Sequence, residues 1–284
     1  MTDRSRLLIS TDDLAARLGE PNLVVVDASW YLPTMGRDGA AEYAAERIPG
    51  AVRFDIDVIA DPSSGLPHML ASAESFARAV GALGIGDGRS VVVYDGLGFF
   101  SAPRVWWNLV VYGAGDVRIL DGGLSKWKAE GRPLDTGAPQ PPVAATFTPM
   151  IDTGRIADLD AVVGVLASGA ATVVDARSAE RFRGEAPEPR PGLRGGHMPG
   201  AKNVPWTAVV DADGRLAADA TLRAAYAGVD LDRPIVTSCG SGVSAAILWV
   251  ALEALGVPRS RLALYDGSWS EWGASPSTAV ATGP

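Results

Sequence analysis

The apolar positions of this chain fall into short β-branched runs separated by longer stretches with helical spacing. Residues 24–26 (Val-Val-Val) and 91–94 (Val-Val-Val-Tyr) are continuous apolar runs, the pattern of strands covered on both faces. Ser72, followed by the helical stretch 74–83 and then Gly84, predicts a helix with a hydroxyl cap at its start and a glycine at its end. Pro103 stands where a first helical turn begins, ahead of the apolar run 105–111. Residues 117–120 predict another strand. The alternation returns further on, with strands over 172–174, 235–237 and 262–264 and helices over 158–167, 219–227 and 243–255. Strands alternating with helices predict an α/β architecture with a mainly parallel sheet flanked by helices. In such sheets, ligands gather at the carboxyl ends of the strands.

The pattern also repeats. Leu23 to Trp30 (LVVVDASW) matches Thr172 to Ser178 (TVVDARS), with Asp27 on Asp175. Arg47-Ile48-Pro49-Gly50-Ala51 matches His197-Met198-Pro199-Gly200-Ala201. Leu120-Asp121-Gly122-Gly123 with Trp127 matches Tyr265-Asp266-Gly267-Ser268 with Trp272. The offsets are 148, 150 and 145 residues, in one order, so a whole domain is duplicated rather than a short solenoid unit. Four prolines between Thr136 and Pro149 mark the seam as an extended, semi-rigid linker. The expected division is a first domain over 5–135, a Pro-rich linker over 136–150 and a second domain over 151–280.

Composition narrows the function. The chain of 284 residues has one cysteine, Cys239, which excludes an internal disulfide, and two histidines, too few with it for a Cys/His zinc site. The net charge of -8 argues against a nucleic-acid surface, while leaving room for a local basic pocket. Met1 to Asp13 carries no signal-peptide core, and the most apolar stretch, 243–252, is too short to span a bilayer. A cytoplasmic protein is expected, with no membrane or nucleic-acid partner.

The chemistry centres on the cysteine. Cys239 follows a strand and is succeeded by Gly240-Ser241-Gly242 and then a helix. Two glycines let consecutive N–H groups converge, and the helix adds its positive end, so a thiolate there is stabilised. A lone cysteine is most often a buried, inert one, and this context favours the reactive alternative. In the first copy the aligned position is Asp95, which cannot act as a sulfur nucleophile. Arg181, Arg183, Arg190 and Arg194 lie in a Gly/Pro-rich segment expected to be a loop. Arginine forks suit carboxylate recognition, although composition alone favours pairing with Glu180, Glu185 and Glu188 on a solvated surface loop. Alone, His68 reads as a polar loop residue and His197 as a turn-holding one. Trp106, Trp107, Trp249, Trp269 and Trp272 read as core.

Taken together, these motifs resemble the tandem-domain rhodanese-like sulfurtransferases. The resemblance rests on Cys239-Gly240-Ser241-Gly242-Val243-Ser244-Ala245, Tyr265 to Trp272, Arg181-Phe182-Arg183-Gly184, Pro187 to Arg190 and Gly196 to Ala201. In the first half it rests on Phe54 to Asp57, His68-Met69-Leu70, Ser101 to Trp107 and Leu120 to Gly123. It covers nearly the whole chain. Thiosulfate-preferring members carry Arg-Lys after the cysteine, whereas the branch acting on 3-mercaptopyruvate carries Cys-Gly-Ser-Gly-Val-Thr. This chain matches the second, with Ser244 in place of threonine.

The resemblance implies that Cys239 is the nucleophile and persulfide carrier and that Arg181 and Arg190 hold the donor. It implies a proton relay through Ser241, His68 and Asp57, and a loop of Gly240, Gly242, Val243 and Ser244 around the sulfur. It further implies a small-molecule sulfur donor, an acceptor that is a thiol, cyanide or a redox protein such as thioredoxin, and no metal or organic cofactor. A cysteine phosphatase would need an arginine six residues beyond the cysteine, where Ala245 stands.

Overall fold

The computed structural model describes residues 4–284, so the first three residues of the amino-terminal stretch lie outside it. The first sheet is built from β1 (Leu8–Ile9), β2 (Leu23–Asp27), β3 (Val52–Arg53), β4 (Ser90–Tyr94) and β5 (Asp116–Leu120). The second comprises β6 (Ile156–Ala157), β7 (Thr172–Asp175), β8 (Lys202–Asn203), β9 (Ile235–Ser238) and β10 (Leu262–Tyr265). Their orders are β1-β5-β4-β2-β3 and β6-β10-β9-β7-β8, so the second repeats the first strand for strand. Every pairing within the two sheets is parallel. Residues 136–150 between them hold no helix or strand. This segment is nevertheless tied to the first sheet's layer, through Ala145 N–H on Gly81 O, Thr148 on Asp87 and the buried Phe147.

The helices are α1 (Thr11–Arg17), α2 (Gly39–Ala45), α3 (Ala73–Ala82), α4 (Ala102–Val111), α5 (Gly123–Ala129), α6 (Leu159–Ser168), α7 (Ala179–Arg183), α8 (Asp219–Ala225), α9 (Val243–Ala254) and α10 (Ser268–Trp272). Local chemistry explains several boundaries. Ser72 caps α3 by accepting from the Ser75 N–H, and Asp158 caps α6 by accepting from Ala161. Pro103 sits in the first turn of α4, where its missing N–H costs nothing.

The arginine segment expected to be a loop begins as a helix, α7, which ends at Gly184 with φ +77°. Its Phe182 is buried and stacks on His197 at 3.8 Å, and that packing fixes the turn of helix. His197 Nδ1 lies 2.8 Å from the Phe182 carbonyl, in keeping with a turn-holding role.

Three apolar layers follow from this order. One outer cluster packs Leu14, Tyr43, Val92 and Trp127 on the first sheet; its counterpart packs Val162, Val173, Trp269 and Trp272 on the second. The largest cluster runs through both halves and contains nearly all of α4 and α9. Both helices are buried nearly all round because each faces its own sheet on one side and the other half on the other. Trp107 meets Trp249 edge-to-face across this seam, ring centroids 6.3 Å apart.

Candidate active site

Cys239 sits at the carboxyl end of β9, a central strand paired with β7 and β10. Its loop is shaped from behind by α10. The Cys239 carbonyl accepts the Trp269 N–H at 3.0 Å, and the Gly240 carbonyl accepts both the N–H and the hydroxyl of Ser270 at 2.9 and 2.7 Å. A peptide unit is planar and trans, so the N–H groups of Gly240 and Ser241 must face away from α10. Gly242 takes φ +80°, which continues the curl into α9. The N–H groups of residues 240–244 find no partner among the described residues. Cys239 beside them is buried, 2% exposed. Unpaired donors at a helix amino end form a site for an anion.

The equivalent loop of the first half explains what those donors seek. Asp95 follows β4 as Cys239 follows β9. Its carboxylate accepts the N–H groups of Leu97 (2.8 Å), Phe100 (2.7 Å), Ser101 (2.9 Å) and Ala102 (2.8 Å). The first loop is filled by an anion of its own, whereas the second has its donors free around a thiol.

Two guanidinium groups close the mouth. A Cβ placed on Gly240 would stand 3.3 Å from Arg181 Nη2 and 3.9 Å from Arg190 Nη1, so glycine keeps that space open. Arg181 leans on Glu188 at 2.5 Å. Glu188 is itself held by the fully buried Arg177, which also pairs with Asp175 and lies over Trp269 at 4.1 Å. Arg190 has no hydrogen-bond or ion-pair partner among the described residues. Burial pushes its pKa down, with the Cys239 sulfur pulling the other way. A desolvated, unpaired cation favours an anionic ligand.

The first half supplies the opposite side. His68 Nδ1 stands 3.1 Å from Ser241 Oγ and 3.3 Å from its carbonyl, and Nε2 stands 2.9 Å from Asp57 Oδ1. The His68 hydrogen bond holds the Asp57 carboxyl below the usual carboxylate range, and the Trp30 Nε1–H donates to its other oxygen at 2.9 Å. Ser241, His68 and Asp57 therefore form one continuous hydrogen-bonded chain.

A cavity of about 120 Å³ joins these parts. At about 30 Å³ per water, it has room for roughly four waters or one small molecule. Cys239, Gly240, Ser241, Val243, Ser244, Arg181 and Arg190 line it. His68, Asp57 and Gly242 do not; the first two reach it through Ser241 and the third backs the loop. Sequence reasoning missed its aromatic wall of Trp30, Phe100 and Trp206, and missed Arg177. Only the adjacency of Arg177 to the repeated Asp175 could have drawn attention to it. A larger cleft of about 810 Å³, bounded by Arg6, Arg118 and Arg259, lies apart from Cys239 and shares none of these lining residues.

The rhodanese-like domain family matches this chain twice, over residues 10–130 and 159–275. The chain belongs to that family. Among rhodanese-like relatives, it is 43% identical to the 3-mercaptopyruvate sulfurtransferase of Escherichia coli K12, over 94% of both chains. It is also 43% identical to the 3-mercaptopyruvate sulfurtransferase of Homo sapiens, over 91% of this chain and 87% of that one. The crystal structure of Tum1 protein from Saccharomyces cerevisiae superposes with a TM-score of 0.89 at 32% identity, over 97% of this chain and 98% of that one. The rhodanese-like assignment accounts for the tandem parallel sheets, and its relatives make this chain a sulfurtransferase.

Proposed function

We propose that the sulfur donor is 3-mercaptopyruvate and that Cys239 carries the sulfur as a persulfide. The observation that carries this reading is the set of free N–H groups around Cys239, beside two guanidiniums. The Cys239 thiolate attacks the donor sulfur. A sulfur–sulfur bond forms, the donor's carbon–sulfur bond breaks, and its electron pair stays on carbon as the pyruvate enolate. The proton of the donor thiol passes to that carbon, through Ser241 and His68, leaving pyruvate and an anionic persulfide. Asp57 keeps the His68 ring oriented. The loop N–H groups stabilise the charge on the outer sulfur by preorganised dipoles. Arg181 and Arg190 hold the donor's carboxylate and keto oxygens. An acceptor thiol, cyanide or the thiol of a small redox protein such as thioredoxin then takes the outer sulfur and returns the Cys239 thiolate. Asp95 leaves the first domain without a sulfur carrier.

Thiosulfate is the second donor to weigh, because a relative in Arabidopsis thaliana, 39% identical, is named for both thiosulfate and 3-mercaptopyruvate. Gly240 and Ser241 stand where a dianionic donor would call for two cations. Steady-state kinetics with both donors decides. We expect kcat/KM for 3-mercaptopyruvate to exceed that for thiosulfate by at least about tenfold. Equal or reversed values would assign the protein to thiosulfate.

A further inference from the structure

We infer that Arg104, on α4 of the first half, is a positioning residue that sets the contact between His68 and Ser241. The inference rests on the sulfur-transfer reading above. The Arg104 side chain is entirely buried, and its Nη2 donates to the His68 carbonyl and to Asp266 Oδ1, both at 2.6 Å. The other oxygen of Asp266 accepts the Leu70 N–H at 2.8 Å. The turn His68-Met69-Leu70 is thus gripped at both ends by one ion pair that crosses between the halves.

That turn needs gripping. His68 has φ +63°, a left-handed conformation that side chains resist. Its counterpart in the duplicated half is Gly214, at φ +69°, followed by a Leu216 N–H that donates to Asp121 at 3.1 Å. The carboxylate grip is common to both copies. Arg104 is added where the turn carries a histidine.

Arg104 also touches the sulfur loop. A Cβ on Gly242 would lie 2.5 Å from Nη1, so the loop's glycine rests directly on the guanidinium. One rigid fork therefore spans the His68 carbonyl and the loop that bears Ser241. Its Nε and Nη1 have no hydrogen-bond partner although they are buried. A buried ion pair with unmet donors is a poor device for stability alone, since apolar packing would serve as well. The arrangement makes sense as registration of the imidazole against the Ser241 hydroxyl. Arg104 lines no part of the donor cavity, so it acts through His68.

Arg104→Lys keeps the charge and loses the fork. We expect kcat with 3-mercaptopyruvate to fall by about 10- to 100-fold and KM to move less than about threefold, because the donor is held elsewhere. In a His68→Ala background the same substitution should change kcat by less than about threefold, because the residue acted upon is gone. An equal loss in both backgrounds, or a KM rise matching the kcat loss, would overturn the inference. Asp266→Asn attacks the same grip from the other half and should show the same dependence on His68, should Arg104→Lys fold poorly. The chain has two histidines, so isotope-labelled histidine spectra report His68 without turnover. Arg104→Lys should move the His68 ring signals and leave those of His197 in place. Unmoved His68 signals would reject Arg104's role even if the donor proved to be a different one; a wild-type protein that forms no pyruvate would reject the donor and leave this spectral test standing.

Discussion

At the residue scale, the clearest sign of a functional demand is His68. It is buried, holds a left-handed backbone, and stands where the other copy has Gly214. Strain retained at one copy only, with the ring bridging Ser241 and Asp57, points to a side chain kept for its chemistry. A stability consequence follows. His68→Ala and His68→Gly remove the same ring contacts, but alanine keeps the left-handed penalty and glycine does not. His68→Gly should therefore unfold in urea at higher concentration than His68→Ala, with about 1 kcal/mol between them. Equal midpoints, or a more stable alanine variant, would show that the backbone there is unstrained. This conformation was not legible in the sequence, because nothing local to Pro67-His68-Met69 demands it; the grip comes from Arg104 and Asp266, far along the chain.

At the scale of elements, the two strand–loop–helix units after β4 and β9 are one design used with two anions. Asp95 fills the first loop with four N–H contacts, and the second leaves its donors for sulfur. Asp95→Ala would orphan those donors inside the protein. We expect it to cost about 3 kcal/mol or more in urea unfolding, with Asp95→Asn, which retains one acceptor oxygen, losing less. A cost below about 1 kcal/mol would mean that the first loop does not depend on its carboxylate.

The units that could be read from sequence are those with strong local signals. The central strands were legible as apolar runs, α3 from Ser72 and Gly84, α4 from Pro103, and the cysteine loop from its two glycines. The edge strands β1, β3, β6 and β8 have two residues each, too short for any periodicity to register. The start of α7 was hidden by the Gly and Pro that follow it, and is fixed by Phe182 packing on His197. Arg181 and Arg190 were ambiguous by composition, because Glu180, Glu185 and Glu188 surround them. The structure separates these acids: Glu188 orients Arg181, Glu185 pairs with Arg183, and Arg190 is left without a hydrogen-bond or ion-pair partner among the described residues.

At the scale of the molecule, duplication supplies both the core and the cleft. Packing α4 against α9 buries both helices at once, and the shared cluster makes each half part of the other's interior. The same apposition brings Trp30, Phe100, His68 and Asp57 to a nucleophile that the first half lacks. An acidic chain, net -8, holds a local cationic mouth because Arg177, Arg181 and Arg190 are gathered there against only two buried acids, Asp175 and Glu188. No helix among the described residues is long and apolar enough to cross a membrane. The repeat was legible in the sequence; the cross-half pairing of Arg104 with Asp266 was not, since each partner belongs to a different copy.

Sulfur transfer through this cleft requires that Cys239 carry the transferred sulfur. Its most direct test is the mass of the protein after exposure to 3-mercaptopyruvate without an acceptor thiol. A gain of ~32 Da is expected, located on the peptide that contains Cys239, removed by cyanide and absent from Cys239→Ser. Pyruvate release at the normal rate from Cys239→Ser, or turnover by the wild-type protein with no such gain, would contradict it.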